Sequence, residues 1–567
     1  MPRSAAHTVL ATPELALLVS ARLAQSDLAH CISVCKDWSR HFEPILWTTF
    51  CLKERPCESL INTALKSALA RNLPLIRTLE IAVANDNLLK VLANGSADPS
   101  TLCTNLKSIT LEDFQHMDLD LTSQYLASLF ILNHGLTHLR LVFECFDTGA
   151  VPIALSRLES LQHLTIYSSR ECEGNRTILM LLQACLPLPN LAELCIDLDL
   201  LWDDDAESFG ELETIIKAAS IARCARHPSS TKIESLQLPS NRSGTPNPLP
   251  LLLFESDLLD LVSCEIPWFD AEASMGDIER LIRERCPNLK HVRLTYLSDT
   301  SQYIDDRKVR SVIHGCSGLQ SFVSQHFNDE GPNSAPRCIM RDLTSEHSQT
   351  LEVLDLTDCS LVYSDDLQEF LTECRQLKQL WVMNSSRKGS NIGISSVHIR
   401  TQDWVCMELT KLGLTIDRFP EVEDVFGELE VVGEPAVDGE SEKDAITRLH
   451  AIAAKSVYTQ IGRLEKLEVL ALDRDTGPYT LGGDYSWDLT LSKGWLGEMA
   501  GLKRLKTLTL QGVFWSKMGQ AEVEFMHEHW PLLREINLYG NSLPLGPQSP
   551  WRWLLNKRPQ LSLVVTP

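Results

Sequence analysis

The sequence predicts an α/β solenoid, in which a helical N-terminal module precedes a curved array of strand–helix repeats. Parallel strands are expected on the concave side and helices on the convex side. Three observations predict it. A six-residue phrase, Leu-x-x-Leu-x-Leu/Ile, returns along most of the chain. Most of its starts fall about 25–32 residues apart, room for one short strand and one helix per unit. The residues before the first copy follow a different, helical periodicity.

The phrase reads LKSITL from Leu106, LTHLRL from Leu136, LQHLTI from Leu161 and LAELCI from Leu191. It continues as IESLQL from Ile233, LKHVRL from Leu289, LEVLDL from Leu351, LKQLWV from Leu377 and LTKLGL from Leu409. Further copies are LEVLAL from Leu467, LKTLTL from Leu505 and LREINL from Leu533. Weaker ones begin at Ile76, Leu258 and Leu319, with a terminal strand at Leu561. Period-two alternation, as at Ile109 and Leu111, specifies a short strand with one aliphatic face.

Helix patterns lie between the phrases. Met275, Ile278, Leu281, Ile282 and Cys286 share one side of a helix, and Leu367, Phe370, Leu371 and Cys374 form the stripe of another behind Ser364. Cys103, Cys286, Cys316 and Cys374 each stand three residues before the first aliphatic residue of the next strand. A small apolar side chain suits a tight helix-to-strand turn, so these read as buried thiols. The chain has seventeen cysteines, an odd number without a C-x-x-C framework, which favours a reduced, intracellular protein. One unit cannot cover its own apolar face, whereas stacked units can.

Composition narrows the function. The net charge of −23 argues against nucleic acid or an anionic membrane as partner and favours a basic protein. Apolar residues make up 44% of the chain, yet no run reaches the roughly 20 needed to span a bilayer. There is no secretory signal, and the expected location is cytoplasmic or nuclear.

In the N-terminal module, Thr12 is placed to cap a helix, with Pro13 in its first turn and Glu14 on its dipole. Leu15, Leu18, Val19 and Leu23 follow at helical spacing. Ser26 and Asp27 restart the pattern, and Leu28, Cys31, Cys35, Trp38 and Phe42 recur in steps of three and four as one face. Pro44 is expected to end that run, ahead of an Ile45-Leu46-Trp47 cluster. Cys35 is thereby assigned to a buried stripe rather than to thiol chemistry.

The repeats resemble the leucine-rich-repeat superfamily, and within it the repeats of F-box proteins, from about Ile76 onward. The module resembles an F-box through Pro13, Leu15, Leu18, Leu23, Asp27-Leu28, Val34-Cys35-Lys36, Trp38 and Leu46-Trp47. It departs at Thr12, where that family usually has leucine. The F-box-like three-helix module is placed at 8–52 and the array at 53–567, with a surface loop near 239–250 and an acidic insertion at 417–444. The resemblance implies binding to the Skp-family adaptor of a cullin-based SCF ubiquitin ligase, with Pro13, Leu17, Leu28, Val34 and Lys36 as candidate contacts. A helical cap that merely seals the first repeat is the alternative.

Residues flanking the inner aliphatics of each phrase face the concavity, where a protein substrate would be read. The candidates are His138, Arg140, Tyr167, His291, Arg293, Trp381, Met383, Asn537 and Tyr539, with Asp473 beside them. Trp381 is either an interface anchor or a residue partly covered by the next ascending loop. The acidic insertion reads as a loop that attracts a basic partner or has no role. No phosphate-binding loop, nucleophile elbow or metal-ligand spacing is present, and Trp202-Asp203-Asp204-Asp205 reads as an acidic helix start. The chain is therefore expected to be a non-catalytic substrate receptor without cofactor or metal. An interaction scaffold outside any ligase and a GTPase regulator are the rival functions.

Overall fold

The computed structural model describes residues 18–20, 22–52, 63–82, 86–94, 102–112, 119–143, 150–168, 175–197, 206–226, 232–238, 252–253, 256, 259–267, 275–295, 306–324, 337–357, 359, 362, 364–383, 403–416, 441–474, 489–492, 495–510, 518–539 and 549–566. Seventeen strands are interspersed with helices in these residues, and every registered pairing is parallel. The fold is an α/β solenoid of repeats. The chain divides into two compact units, Met1–Leu261 with Phe269–Ala271, and Val262–Trp268 with Glu272–Pro567.

The first unit holds β1 (Thr49–Leu52), β2 (Thr78–Ile81), β3 (Ser108–Leu111), β4 (His138–Phe143), β5 (His163–Ser168), β6 (Glu193–Asp197) and β7 (Ile233–Gln237). Each pairs with the next in sequence. Register stacks Leu79, Ile109, Leu139, Leu164 and Leu194 in one row, all buried. A second row, Ile81, Leu111, Leu141, Ile166 and Ile196, is equally closed. Each aliphatic side chain taken out of water in these rows stabilises the fold by about 1.5–3 kcal/mol. Helices Leu119–Leu132, Ala150–Leu155, Asn175–Cys185 and Ala206–Arg226 pack one against the next.

The second unit contains β8 (Leu259–Pro267, joining from Val262), β9 (His291–Thr295), β10 (Ser321–Ser324), β11 (Val353–Asp355) and β12 (Gln379–Val382). It continues with β13 (Lys411–Ile416), β14 (Val469–Arg474), β15 (Thr507–Leu510), β16 (Glu535–Tyr539) and β17 (Ser562–Thr566). Its inner row runs Cys264, Val292, Phe322, Leu354, Leu380, Leu412, Leu470, Leu508 and Ile536, again buried. Behind β13, residues 403–410 form no helix; Trp404 fills that layer, its indole donating to Gln368 Oε1 at 3.1 Å.

One turn recurs at the helix-to-strand junctions. The first aliphatic residue of the phrase donates its N–H to the carbonyl three residues earlier, as in Leu136 to Asn133, Leu161 to Leu158, Leu289 to Cys286 and Leu467 to Leu464. The side chain at that earlier position is buried at most of these junctions, as at Cys103, Leu158, Cys286, Cys316, Cys374 and Leu464; before Leu351 it is the half-buried Ser348. Cys406, at the same offset before Leu409, belongs to this set too. Burial pushes the Cys103, Cys316, Cys374 and Cys406 thiols above their ordinary range, so they are protonated and inert.

Polar residues at or beside this position reach back to the preceding repeat. Asn133 donates to the carbonyls of Cys103 and Leu129, both at 2.7 Å, and accepts from Leu106 N at 2.8 Å. Arg558 donates to the Trp530 carbonyl at 2.7 Å. Further from the turn, on the helix Ala206–Arg226, Arg223 also reaches back and donates to Leu191 O at 2.8 Å. His347 donates from Nε2 to Ile313 O at 3.0 Å and accepts from Leu319 N at 3.4 Å. These contacts give turn groups buried partners that the neighbouring backbone does not supply.

Three local expectations need correction. The stripe from Leu28 to Phe42 is two helices, Gln25–Ile32 and Lys36–Leu46, separated by an extended Cys35 with φ −161° and ψ 168°. Cys35 caps the second helix and stands outside the cluster of Leu28 and Phe42. Pro44 lies inside that helix, which continues to Leu46. Within the acidic insertion, Ser441 caps a helix over Glu442–Gly462 by accepting from Asp444 N, so the last residues of 417–444 are helical. Residues 417–440 and 239–250 lie outside the described residues, as do Trp202 to Asp205.

Two measurements probe the turn. Asn133→Ala leaves three buried backbone partners without a bond and is expected to cost about 1–3 kcal/mol in urea unfolding. The second concerns His347, which burial holds below the ordinary histidine range, with Glu346 and His314 as charged neighbours. A group whose folded pKa is depressed contributes stability that is present above about pH 6.5 and is lost as pH falls toward the folded value. His347→Gln is expected to flatten the decline of the urea midpoint between about pH 7 and about pH 5. An unchanged slope contradicts that assignment.

Candidate functional site

The first candidate surface is the N-terminal module. Leu28 and Phe42 form its core, with Leu23, Cys31, Ile32, Trp38, Ile45 and Leu46 packed around them. Trp38 meets Phe42 edge-on at 5.8 Å. Leu28 is 6% exposed, which places it in the core rather than among the contact residues. Its position on the inward side of the short helix Gln25–Ile32 accounts for the difference. Outside the core, Leu18 is 67% exposed and Val34 61%, and Lys36 is exposed on the first turn of its helix. Pro13 and Leu17 lie outside the described residues.

The module passes directly into β1, a strand that the sequence pattern does not reveal. Thr49–Leu52 pairs in register with Thr78–Ile81, and Gln25 donates its side-chain amide to the Thr49 carbonyl at 2.7 Å. The helices thus hydrogen-bond to the first rib.

The second candidate surface is the strand face that carries the residues between the aliphatics. In the first unit it gathers His138, Arg140 and Tyr167 on β4 and β5. Arg140 lies 3.4 Å from Glu112, and its guanidinium sits 5.2 Å over the Tyr167 ring. His138 stacks on His163 at 4.2 Å, and His163 Nδ1 is 2.8 Å from Glu193 Oε2. Cys195 donates to Gln237 Oε1 at 2.8 Å, and its sulfur lies 3.6 Å from the Tyr167 hydroxyl. Glu193, Cys195 and Gln237 were not singled out from sequence, although Glu193 and Cys195 flank the inner aliphatics of LAELCI as His163 and Thr165 do in LQHLTI.

In the second unit the same face is more varied. His291 is half-buried, and Arg293 is exposed at 4.0 Å from Glu265. Asn537 donates to Thr509 Oγ1 at 3.4 Å and Glu535 Oε1 at 3.2 Å, with Tyr539 exposed at the strand end. Met383 and Asp473 are corrections: both are buried. Trp381 is half-buried against the neighbouring rib. A Cβ on Gly413 would overlap its ring and come within 2.8 Å of Met383 Sδ. The missing side chain of Gly413 is what admits both residues, so Met383 fills space that a larger residue would occupy.

No helix among the described residues is long and apolar enough to cross a membrane, and no three His, Cys, Asp or Glu side chains among them form a metal-binding group.

The fold and these surfaces define an α/β repeat solenoid. No family model and no curated protein sequence matches the chain. Among solved structures it is similar to a chain of the crystal structure of the Rad7 and Elc1 complex in yeast. That similarity has 14% sequence identity and a TM-score of 0.40, over 95% of this chain and 96% of that one.

The Gly413 site makes a direct prediction. Gly413→Ala is expected to cost about 1–3 kcal/mol by overpacking against Trp381. Combined with Trp381→Ala, the penalty should shrink by a measurable coupling energy in urea unfolding. Strict additivity contradicts the contact.

Proposed function

We propose that this protein is the substrate-recognition subunit of an SCF-type ubiquitin ligase. The N-terminal module docks a Skp-family adaptor, and the strand face of the repeats holds a target protein. The observation that carries this reading is the module's surface. A core of two buried residues leaves Leu18 and Val34 more than half exposed next to a repeat solenoid. Apolar side chains shown to water this way suit a partner surface. Pro13, Leu17, Val34 and Lys36 are the proposed adaptor contacts.

His138, Arg140, Tyr167, His291, Arg293, Trp381, Asn537 and Tyr539 are the proposed substrate-facing residues, with Met383 supporting Trp381 from beneath. The receptor makes and breaks no bond itself; it contributes proximity and orientation to a cullin-based ligase. An interaction scaffold outside any ligase is the competing function. A GTPase regulator using a free arginine is less well supported, because Arg140 is already engaged by Glu112 and Tyr167.

Adaptor capture separates the readings. The intact chain is expected to retain a purified Skp-family adaptor, and Val34→Asp or Leu17→Asp to weaken retention at least about tenfold. Thermal melts of both variants control for folding. An intact, folded chain that retains no adaptor would leave the scaffold standing.

A further inference from the structure

The two stacked histidines on the first unit's strand face have fixed tautomers. His138 and His163 are in register across β4 and β5, their rings 4.2 Å apart and 15° from parallel. Thr137 Oγ1 gives its single proton to the Lys107 carbonyl at 2.9 Å. Its 2.9 Å contact with His138 Nδ1 therefore needs the proton on the imidazole. His163 Nδ1 faces Glu193 Oε2 at 2.8 Å, and a carboxylate only accepts, so this nitrogen is protonated as well. When neutral, both rings keep Nε2 as a lone-pair nitrogen, which makes two adjacent acceptors.

The surrounding charge is of matching sign. Along β2 to β6, the described residues of this face include Glu80, Glu112 and Glu193 against the guanidinium of Arg140. That guanidinium is already matched by Glu112 and stacked on Tyr167. On the β3 side His138 faces the uncharged Ser108, and on the β5 side it faces His163. Burial, and then the neighbouring His163, hold the His138 pKa below the ordinary histidine range, with Glu193 opposing. The neutral, accepting form of His138 therefore prevails at pH 7. Protonation converts lone pairs into N–H donors and places positive charge on a stacked pair.

We propose that the strip formed by His138, His163 and Glu193 docks an arginine- or lysine-bearing segment of a partner protein at neutral pH and releases it on acidification. A cationic side chain supplies the donors that two lone pairs and a carboxylate lack, and a guanidinium also stacks on imidazole faces. The net charge of −23 steers such a segment toward the chain. This deepens the receptor reading, on which it rests for the role of the strand face.

The test uses the full chain and a fluorescein-labelled peptide of alternating arginine and serine. Affinity is measured at about pH 7.5 and about pH 5.5, either side of the histidine range, in about 0.15 M salt. The wild type is expected to bind about tenfold more weakly at the acid pH, a change of about 1.4 kcal/mol. H138Q/H163Q should bind without that pH response. H138K/H163K, charged throughout, should bind weakly at both values. Should either double variant fail to fold, Glu193→Gln on this exposed position is expected to weaken binding several-fold at neutral pH.

A wild type with equal affinity at both pH values overturns the proposal. So does an unchanged response in the glutamine variant, an unaffected Glu193→Gln, or preference for the matching aspartate–serine peptide. Adaptor capture reads a different surface. Lost peptide binding with adaptor retained removes this site alone, and the reverse result removes the ligase reading alone.

Discussion

The structure depends on the turn that closes each helix and opens the next strand. Its hydrogen bond, from the first aliphatic N–H to the carbonyl three residues before, forces the side chain at that earlier position into the layer between strand and helix. A cysteine or leucine fills the place with apolar volume. Asn133 and Arg558 fill it with donors aimed at the previous turn. The two solutions differ physically. At apolar junctions that side chain contributes packing only, while polar ones also fix the spacing between successive turns through directional bonds. Repeat stacking in this chain is therefore specified at its junctions as well as along its strands.

Much of this was legible in sequence, because the strand phrase and the turn are short-range features. Every copy of the phrase, including the weak ones at Ile76, Leu258, Leu319 and Leu561, became a strand. The cysteine offset identified buried thiols because the tight turn that encloses this position recurs at many of the junctions, as at Leu289, Leu377 and Leu409. The N-terminal module was harder. Leu28, Cys31, Cys35, Trp38 and Phe42 keep helical spacing across a break, so periodicity cannot distinguish one helix from two packed ones. The extended backbone of Cys35 is visible only in coordinates. β1 was missed because TFCL carries Phe50 and Leu52 without the leading aliphatic of the phrase.

The candidate surfaces divide in the same way. Position within the phrase correctly assigned His138, Arg140 and Tyr167 to one face, since strand alternation is a local property. What those residues do to one another is set by register between strands some 25–30 residues apart, which sequence spacing does not give. The stacking of His138 on His163 and of Arg140 on Tyr167 belongs to this second kind of information. Burial of Met383 belongs there too, because it follows from the absence of a side chain on Gly413 in the adjacent rib.

The buried thiols have a practical corollary. Cys103, Cys185, Cys264, Cys286, Cys316, Cys359, Cys374 and Cys406 are enclosed, whereas Cys31, Cys35, Cys51 and Cys195 are partly accessible. A protonated, enclosed sulfur is alkylated only when its surroundings open. Native cysteines therefore form an internal clock for breathing along the solenoid, each reporting the local opening rate of its own repeat without an introduced label.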